Sequence, residues 1–381
     1  MREALPRRAT EPIRVQQPLS SSPPAIEGVG TSVAAFLGPT TSGPRDTPVH
    51  VTSMVEYERT FGGLDADDTG MSVRLFFENG GQSAYVIKTD AIENGLEALT
   101  TIDRFNLLSI PGTARLSKPA AAKTVATAST ICEENRAFYV IDAPASLTPA
   151  TITAWKGHLR ASPNAALYFP GLQVVDPFNP GALRDVPASG AVAGVIARTE
   201  ITRGVWKAPA GTAADLRTVR SLTRTLSDTD QEHLIAAGIN PLRTFPGRGI
   251  RVWGARTLAS AEVSDLKYVP VRRLLLFIEE SIDEGTQWAV FEPNDEPLWR
   301  AVRSSIENFL LGVYRSGALT GRTPEDAYFV RCDRMTMTQD DIDNGRLIVL
   351  VGVAPMRPAE FITASHMTSV VPSQGTPKPP L

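Results

Sequence analysis

Four histidines, His50, His158, His233 and His366, and two cysteines, Cys132 and Cys332, are the side chains of this 381-residue sequence best suited to proton transfer or nucleophilic chemistry near neutral pH. None stands at a regular spacing from a serine, carboxylate or second thiol, so neither a catalytic triad nor a zinc site is signalled. The acidic pairs Glu279-Glu280, Asp283-Glu284 and Asp340-Asp341 have the type of a general acid and base. Each falls at a predicted helix end or in a polar turn, and they read as solvated charge, with Asp340-Asp341 suited to a helix start. Asp65, Asp67, Thr69 and Gly70 imitate the first half of a calcium loop, but Phe76 occupies the position of the bidentate glutamate. Gly28-Val29-Gly30 precedes a predicted strand instead of following one, and no Gly-Lys dipeptide, HExxH or GxSxG occurs. No catalytic, metal or cofactor site is expected.

Composition agrees with a protein that binds other protein. The formal net charge is -3, too weak a field to select nucleic acid or an anionic membrane. The two cysteines are expected as reduced, buried thiols. Residues 1 to 27 contain five prolines and no long apolar run, which predicts folding in the cytoplasm with no secretion signal. The longest apolar stretches, Leu274 to Ile278 and Leu347 to Ala354, fall far short of the roughly 20 residues that span a bilayer.

The elements that would position any site alternate between strand and helix, giving an α/β (α+β) fold. Two mixed α/β domains are predicted, residues 28–228 and 229–353, flanked by an extended N-terminal arm over 1–27 and a C-terminal arm and tail over 354–381. Strands are expected at Thr31 to Gly38, Val49 to Thr52, Ser83 to Thr89, Asn106 to Ile110, Arg136 to Asp142 and Ala165 to Phe169. Ser53 with Glu56 reads as a capping box, Thr148-Pro149 as an N-cap and first helical residue, and Gly62-Gly63 as a helix stop. A glycine- and alanine-rich helix over about 189–200 invites close packing, and Thr202 to Ser227 has no period. In the second unit, strands are expected at Ile250 to Arg256, Gln287 to Phe291, Ala327 to Cys332 and Arg346 to Val353. The helix Pro297 to Ser316, capped by Asp295, shows the clearest stripe: Leu298, Val302, Ile306, Phe309 and Val313. In the arms, Ile13 and Val15, and Phe361, Ile362, Val370 and Val371, form short strand-like patches.

Three blocks, NPLRTFPGRGIRVWGARTL from Asn240, WAVFEPNDEPLWRAVRSSIENFLLGVYRSGALTG from Trp288 and AYFVRCDRMTMTQDDIDNGRLIVLVGVAPMRPAEFI from Ala327, resemble the sheath protein of contractile phage tails and related injection systems. GVGTSVAAFLGPTTSGP, SMVEYERTFGG and FFENGGQSAYVIK resemble the same family's opening, so the likeness runs from about Ala25 to Val371. The chain lacks room for large insertions between its units and so resembles the compact members.

The resemblance implies a non-enzymatic subunit that polymerises as stacked six-membered rings around an inner tube and contracts to drive the tube through a membrane. Implied partners are further copies of itself, the tube protein, and baseplate and terminator or cap proteins, with no nucleic acid, no direct membrane insertion and no cofactor. After cytoplasmic synthesis it would join the assembled particle. The arm residues Ile13, Val15, Phe361, Ile362, Val370 and Val371 would add strands to neighbouring subunits, residues 229–353 would face the tube, and Arg300 and Arg303 are the candidate tube contacts. A ring-forming baseplate or terminator protein with a sheath-like domain is the alternative.

Overall fold

The computed structural model describes residues 24–64 and 67–360. Its centre is an eight-stranded sheet in the order β11-β10-β6-β5-β4-β1-β3-β2. The strands are β1 (Ala34–Gly38), β2 (Val49–Val51), β3 (Ala84–Lys88), β4 (Leu107–Ser109), β5 (Phe138–Asp142), β6 (Ala165–Phe169), and, later in the chain, β10 (Asn240–Phe245) and β11 (Gly249–Val252). The interior pairs are parallel and only the two edges, β2 on β3 and β11 on β10, are antiparallel. A parallel sheet is covered on both faces, which is why β1, β5 and β6 are buried at every residue.

Side chains alternate between two cores. Phe36, Phe138, Val140 and Tyr168 face one side, packed beneath helices α1 (Met54–Phe61), α2 (Asp68–Glu78) and α6 (Ser189–Arg203). Leu37, Tyr139, Ile141 and Leu167 face the other, covered by α3 (Ile92–Leu99), α4 (Lys118–Glu134), α5 (Pro149–Lys156) and α7 (Asp228–Ala236). The small-residue helix α6 owes its composition to α2: a Cβ on Gly190 would lie 2.2 Å from the Ser72 carbonyl oxygen, and one on Gly194 2.5 Å from that of Phe76.

A three-stranded antiparallel sheet, β7 (Leu172–Val175), β8 (Leu183–Val186) and β9 (Ser221–Leu222), abuts the first core. The smaller unit holds α8 (Val269–Gly285), α9 (Glu296–Arg315), the short α10 (Pro324–Ala327) and α11 (Gln339–Asp343), and a two-stranded ladder of β12 (Tyr328–Arg331) and β13 (Leu350–Val353). Leu274, Ile278, Leu298, Val302, Ile306, Leu310 and Val330 form its core.

Local signals hold where they are covalently close. Ser53 Oγ accepts the Glu56 N–H at 3.3 Å, although the Glu56 carboxylate reaches one residue further back than a capping box requires, to Thr52 N at 2.7 Å. Gly62 ends α1 at φ 83°, and Asp295 Oδ1 caps α9 at Leu298 N, 3.1 Å. Two expectations are corrected. Gln287 to Phe291 is not a strand: it is a tight 3₁₀ turn, Gln287–Ala289, joining α8 to α9, with Ala289 N–H donating to Thr286 at 2.9 Å and Phe291 left fully exposed. A reversal this short leaves no chain with which to reach a sheet. The division at residues 228 and 229 also misses any break in packing, because α7, β10 and β11 belong to the main body. The aperiodic stretch before them is packed, with Ala214 and Leu216 in the first core and Arg217 N–H donating to Asn79 Oδ1 at 2.8 Å.

Candidate assembly surfaces

The described N-terminal segment is fastened to the smaller unit, and the C-terminal one runs from that unit back to the main body. On the N-terminal side, Ser305 Oγ of α9 donates to the Pro24 carbonyl, Ile26 is buried against Gly285, and Val29 N–H donates to Ser281 Oγ at 3.1 Å. Thr31 completes the crossing, its carbonyl accepting from Arg273 at 2.6 Å. Residues 24–31 thus lie over α8 and α9 before entering the main sheet. On the C-terminal side, Ala354 and Met356 N–H donate to Ala327 and Ala318 carbonyls at 2.8 and 2.9 Å. Arg357 then meets Asp265 at 2.5 Å, and Glu360 accepts from Arg256 and from Tyr268 Oη. Burial alone would raise the Glu360 carboxyl, but the Arg256 hydrogen bonds and charge outweigh it and hold it below its ordinary range. Ile13, Val15, Phe361, Ile362, Val370 and Val371 lie outside the described residues.

The β12–β13 ladder immediately precedes the C-terminal segment. Val330, Tyr328, Val351 and Val353 turn toward the α9 core, whereas Phe329 and Leu350 are 45% and 50% exposed. The Arg331 guanidinium covers the Phe329 ring, 5.3 Å from its centroid. Two strands of four residues are marginal alone, and among the described residues neither has a second strand partner. The open edges carry backbone groups that an extended segment can satisfy.

Helix α9 presents Arg300 and Arg303 differently. Four of the five stripe residues are buried, and Phe309 packs half-covered on Phe277 at 5.8 Å. Arg300 is exposed, its Nε donating to the Glu296 carbonyl at 3.4 Å. Arg303 is half-buried, 3.9 Å from Glu307. Arg334, from the segment after β12, stands beside the first turn of α9, 3.3 Å from Glu296 and 5.7 Å over the Trp299 ring. Only the tertiary fold brings that third arginine there.

The acidic pairs of α8 are not free solvated charge. Arg136 bridges Glu280 and Asp283 at 2.9 and 2.7 Å, Arg104 meets Glu284 at 2.6 Å, and Arg272 meets Glu279 at 3.2 Å. Arg136 and Arg104 come from the main body, so these contacts clamp α8 to it. Deeper in the same joint, Arg273, 5% exposed, pairs with Glu200 at 2.7 Å. Asp340 and Asp341 do sit at a helix start: Thr338 caps α11, and Arg346 holds both carboxylates at 2.6 and 2.8 Å.

The remaining chemistry-bearing residues are not assembled. His50 meets Ser83 Oγ at 2.8 Å and the Tyr85 ring at 5.0 Å between centroids, and His366 lies outside the described residues. Asp67 occupies the N-cap position of α2 without a side-chain cap hydrogen bond, Thr69 and Gly70 lie inside the helix instead of in a loop, and Asp65 lies outside the described residues. Cys132 and Cys332 are free and buried, and burial pushes the Cys332 thiol up to about 11. Among the described residues no cluster of three or more histidine, cysteine, aspartate or glutamate side chains could hold a metal, and no helix is long and apolar enough to cross a membrane.

Comparison with known proteins points the same way. Residues 86–258 match the family profile of the phage tail sheath protein central domain, and residues 262–367 that of the phage tail sheath C-terminal domain. The two profiles meet just beyond β11. Among solved structures, the chain is 32% identical to one in the contracted sheath complex of PVC, an extracellular contractile injection system, with a TM-score of 0.80 over 97% of this chain and 99% of that one. It is 28% identical to a chain in the six-fold symmetrised baseplate of the anti-feeding prophage, with a TM-score of 0.78 over 97% and 100%. A curated relative, the tail sheath protein of Vibrio phage KVP40, is 27% identical over 187 residues, which is 49% of this chain and only 27% of that protein.

Proposed function

The chain belongs to the phage tail sheath family, of structural proteins and not enzymes, and we propose that it polymerises as stacked six-membered rings around an inner tube and contracts to drive that tube through a target membrane. One observation carries the reading: the end-to-end likeness, at 32% identity, to a subunit of a contracted injection-system sheath. Its partners on this reading are its own copies, the tube protein, and baseplate and cap proteins. It would be made in the producing cell's cytoplasm and then become part of the particle.

The arrangement of the smaller unit supports the joint this function needs. Residues 24–31 cross helices α8 and α9 of this unit and residues 354–360 follow directly on β13, and the edges of the β12–β13 ladder can accept strands from the arms of neighbouring subunits. Each added backbone hydrogen bond contributes only about 1 kcal/mol, but repetition around and between rings makes a continuous mesh. The main body, clamped to α8 by arginine–carboxylate contacts, then moves as one piece while the mesh persists. We place the smaller unit toward the tube, with Arg300 and Arg303, now joined by Arg334, as the candidate contacts.

Negative-stain electron microscopy of the purified protein with its tube tests the proposal: full-length protein forms long hollow cylinders, and deletion of residues 1–24 or 356–381 leaves soluble subunits that do not polymerise. Full-length cylinders from either truncation would refute the arms. The match to a baseplate chain favours the alternative of a ring that never elongates. A single ring on the tube at every protein concentration would establish that instead.

A further inference from the structure

At the carboxyl end of the parallel strands, a cavity of about 270 Å³ opens between the segments that follow β5 and β6 and the turn into α6. Open α/β sheets hold ligands at this end, where loops diverge above the strand termini. The floor is Asp142, the last residue of β5, only 3% exposed. Its Oδ1 accepts the N–H groups of Ala188 and Ser189 at 2.8 and 2.9 Å. Its Oδ2 has no hydrogen-bond partner among the described residues. Tyr168, the register neighbour of Asp142 on β6, lines the same cavity, is 1% exposed, and has an equally unpartnered hydroxyl. Buried polar groups are almost always satisfied, so two such groups at one cavity call for a ligand that satisfies them.

The charges around the cavity set the ligand's sign. Arg224 lines it, and its hydrogen bond within the protein is a long one, 3.5 Å, to the Ala145 carbonyl. Arg115 is neutralised by Asp68 through contacts of 2.6 and 2.9 Å, and Arg184 reaches the same carboxylate at 3.2 Å. Asp185, at the mouth, accepts from Gln173. Of the charged residues that line the cavity, Arg115 and Asp68 are taken up with each other and Asp185 with Gln173, which leaves Arg224 as the cation least engaged within the protein. Burial pushes Asp142 up to about 7 against the hydrogen bonds from Ser189 and Ala188, with Asp68 adding to the rise. Below neutral pH the carboxyl then holds its proton, and Oδ2, the oxygen without a partner, is the one placed to donate it.

We propose that this cavity binds a small organic anion, a phosphate or carboxylate on a short body, with Arg224 holding the charge and the Asp142 carboxyl donating from the floor. The volume lies just below the roughly 300–1,000 Å³ of pockets for drug-sized ligands, which limits the body to a few carbons. Nothing in this site depends on polymerisation, so it stands apart from the sheath reading.

The test titrates the full-length protein with sulfate, whose charge is constant between about pH 6 and about pH 8, and with glycerol 3-phosphate, at fixed ionic strength, by calorimetry. Saturable binding is expected, weakening about tenfold per pH unit above neutrality as Asp142 loses its proton. Arg224→Ala should weaken it at least about tenfold. Asp142→Asn retains a donor and should bind with the pH dependence gone. If that variant does not fold, Arg224→Ala and Tyr168→Phe still decide the matter. The proposal falls if neither probe saturates by about 50 mM, if Arg224→Ala binds as tightly as the parent, or if binding is indifferent to pH, the mark of an adventitious surface ion.

Discussion

Arg256 and Glu360, 104 residues apart, face each other through two hydrogen bonds of 2.7 Å, and Tyr268 Oη adds a third to the same carboxylate at 3.1 Å. Arg256 also donates to the Ile235 carbonyl at 2.8 Å, so the cluster ties the last described residue to the main body beside α7. The C-terminal arm therefore departs from a point fixed on the large unit, although its preceding strand β13 belongs to the small one.

Glu360→Gln should loosen this clasp without unfolding the protein. The expected cost is about 1–3 kcal/mol, since both side chains are largely covered and the bond is charge-assisted. Hydrogen exchange should speed up at 355–360 and stay unchanged in the central strands. The folded-state pKa of Glu360 is lowered, so its contribution is complete above the ordinary glutamate value and fades as pH falls through the depressed one. Once the pH is below that depressed value, the parent and the variant should converge. Equal exchange at neutral pH would show that the clasp holds nothing.

Asp142 predicts the opposite pH trend. Its folded-state value, raised to about 7, lies above that of an unfolded aspartate, so its contribution is intact below about pH 4 and is lost as pH rises through about 7. Urea unfolding should show the parent losing roughly 1 kcal/mol per pH unit across that window relative to Asp142→Asn. Parallel curves for the two proteins would contradict the buried, proton-holding carboxyl.

Two glycines should respond with opposite sign. Gly190→Ala forces α6 away from the Ser72 carbonyl and should cost about 1–3 kcal/mol. Gly312→Ala, in the exposed interior of α9 where a Cβ meets nothing within 4 Å, should stabilise by up to about 1 kcal/mol. Thermal melts of the soluble subunit distinguish the two.

Charge reversal separates the arginines of α9. Arg300→Glu should abolish assembly on tubes while leaving circular dichroism unchanged, and Arg334→Glu should act in the same direction. Arg303→Glu should do less to the tube and more to the fold, because that side chain is half-buried beside Glu307. Normal sheath-covered tubes from the Arg300 and Arg334 variants together would remove this face from consideration.

Much of this protein could be read from neighbouring residues. The buried runs at Ala34 and Ala165, the stripe of α9, the stop at Gly62, and the caps at Ser53, Thr148 and Asp295 are legible because helix and strand periods and end groups are satisfied within a few residues. The family likeness rested on the same kind of local text. What could not be read depends on which surfaces meet. The pairing of β10 with β6 moved α7, β10 and β11 into the main body, and the short helix-to-helix reversal turned Gln287–Ala289 from an expected strand into a turn. The α8 carboxylates, taken alone, were ordinary surface charge until Arg104 and Arg136 were folded against them. Asp142, Arg334 and the Arg256–Glu360 clasp carried no local signal, because burial and long-range charge pairing are properties of the packed chain. Residue type and spacing determined the elements and the kind of protein; tertiary contact alone decided which charges are shielded from water and paired, and so which of them can act.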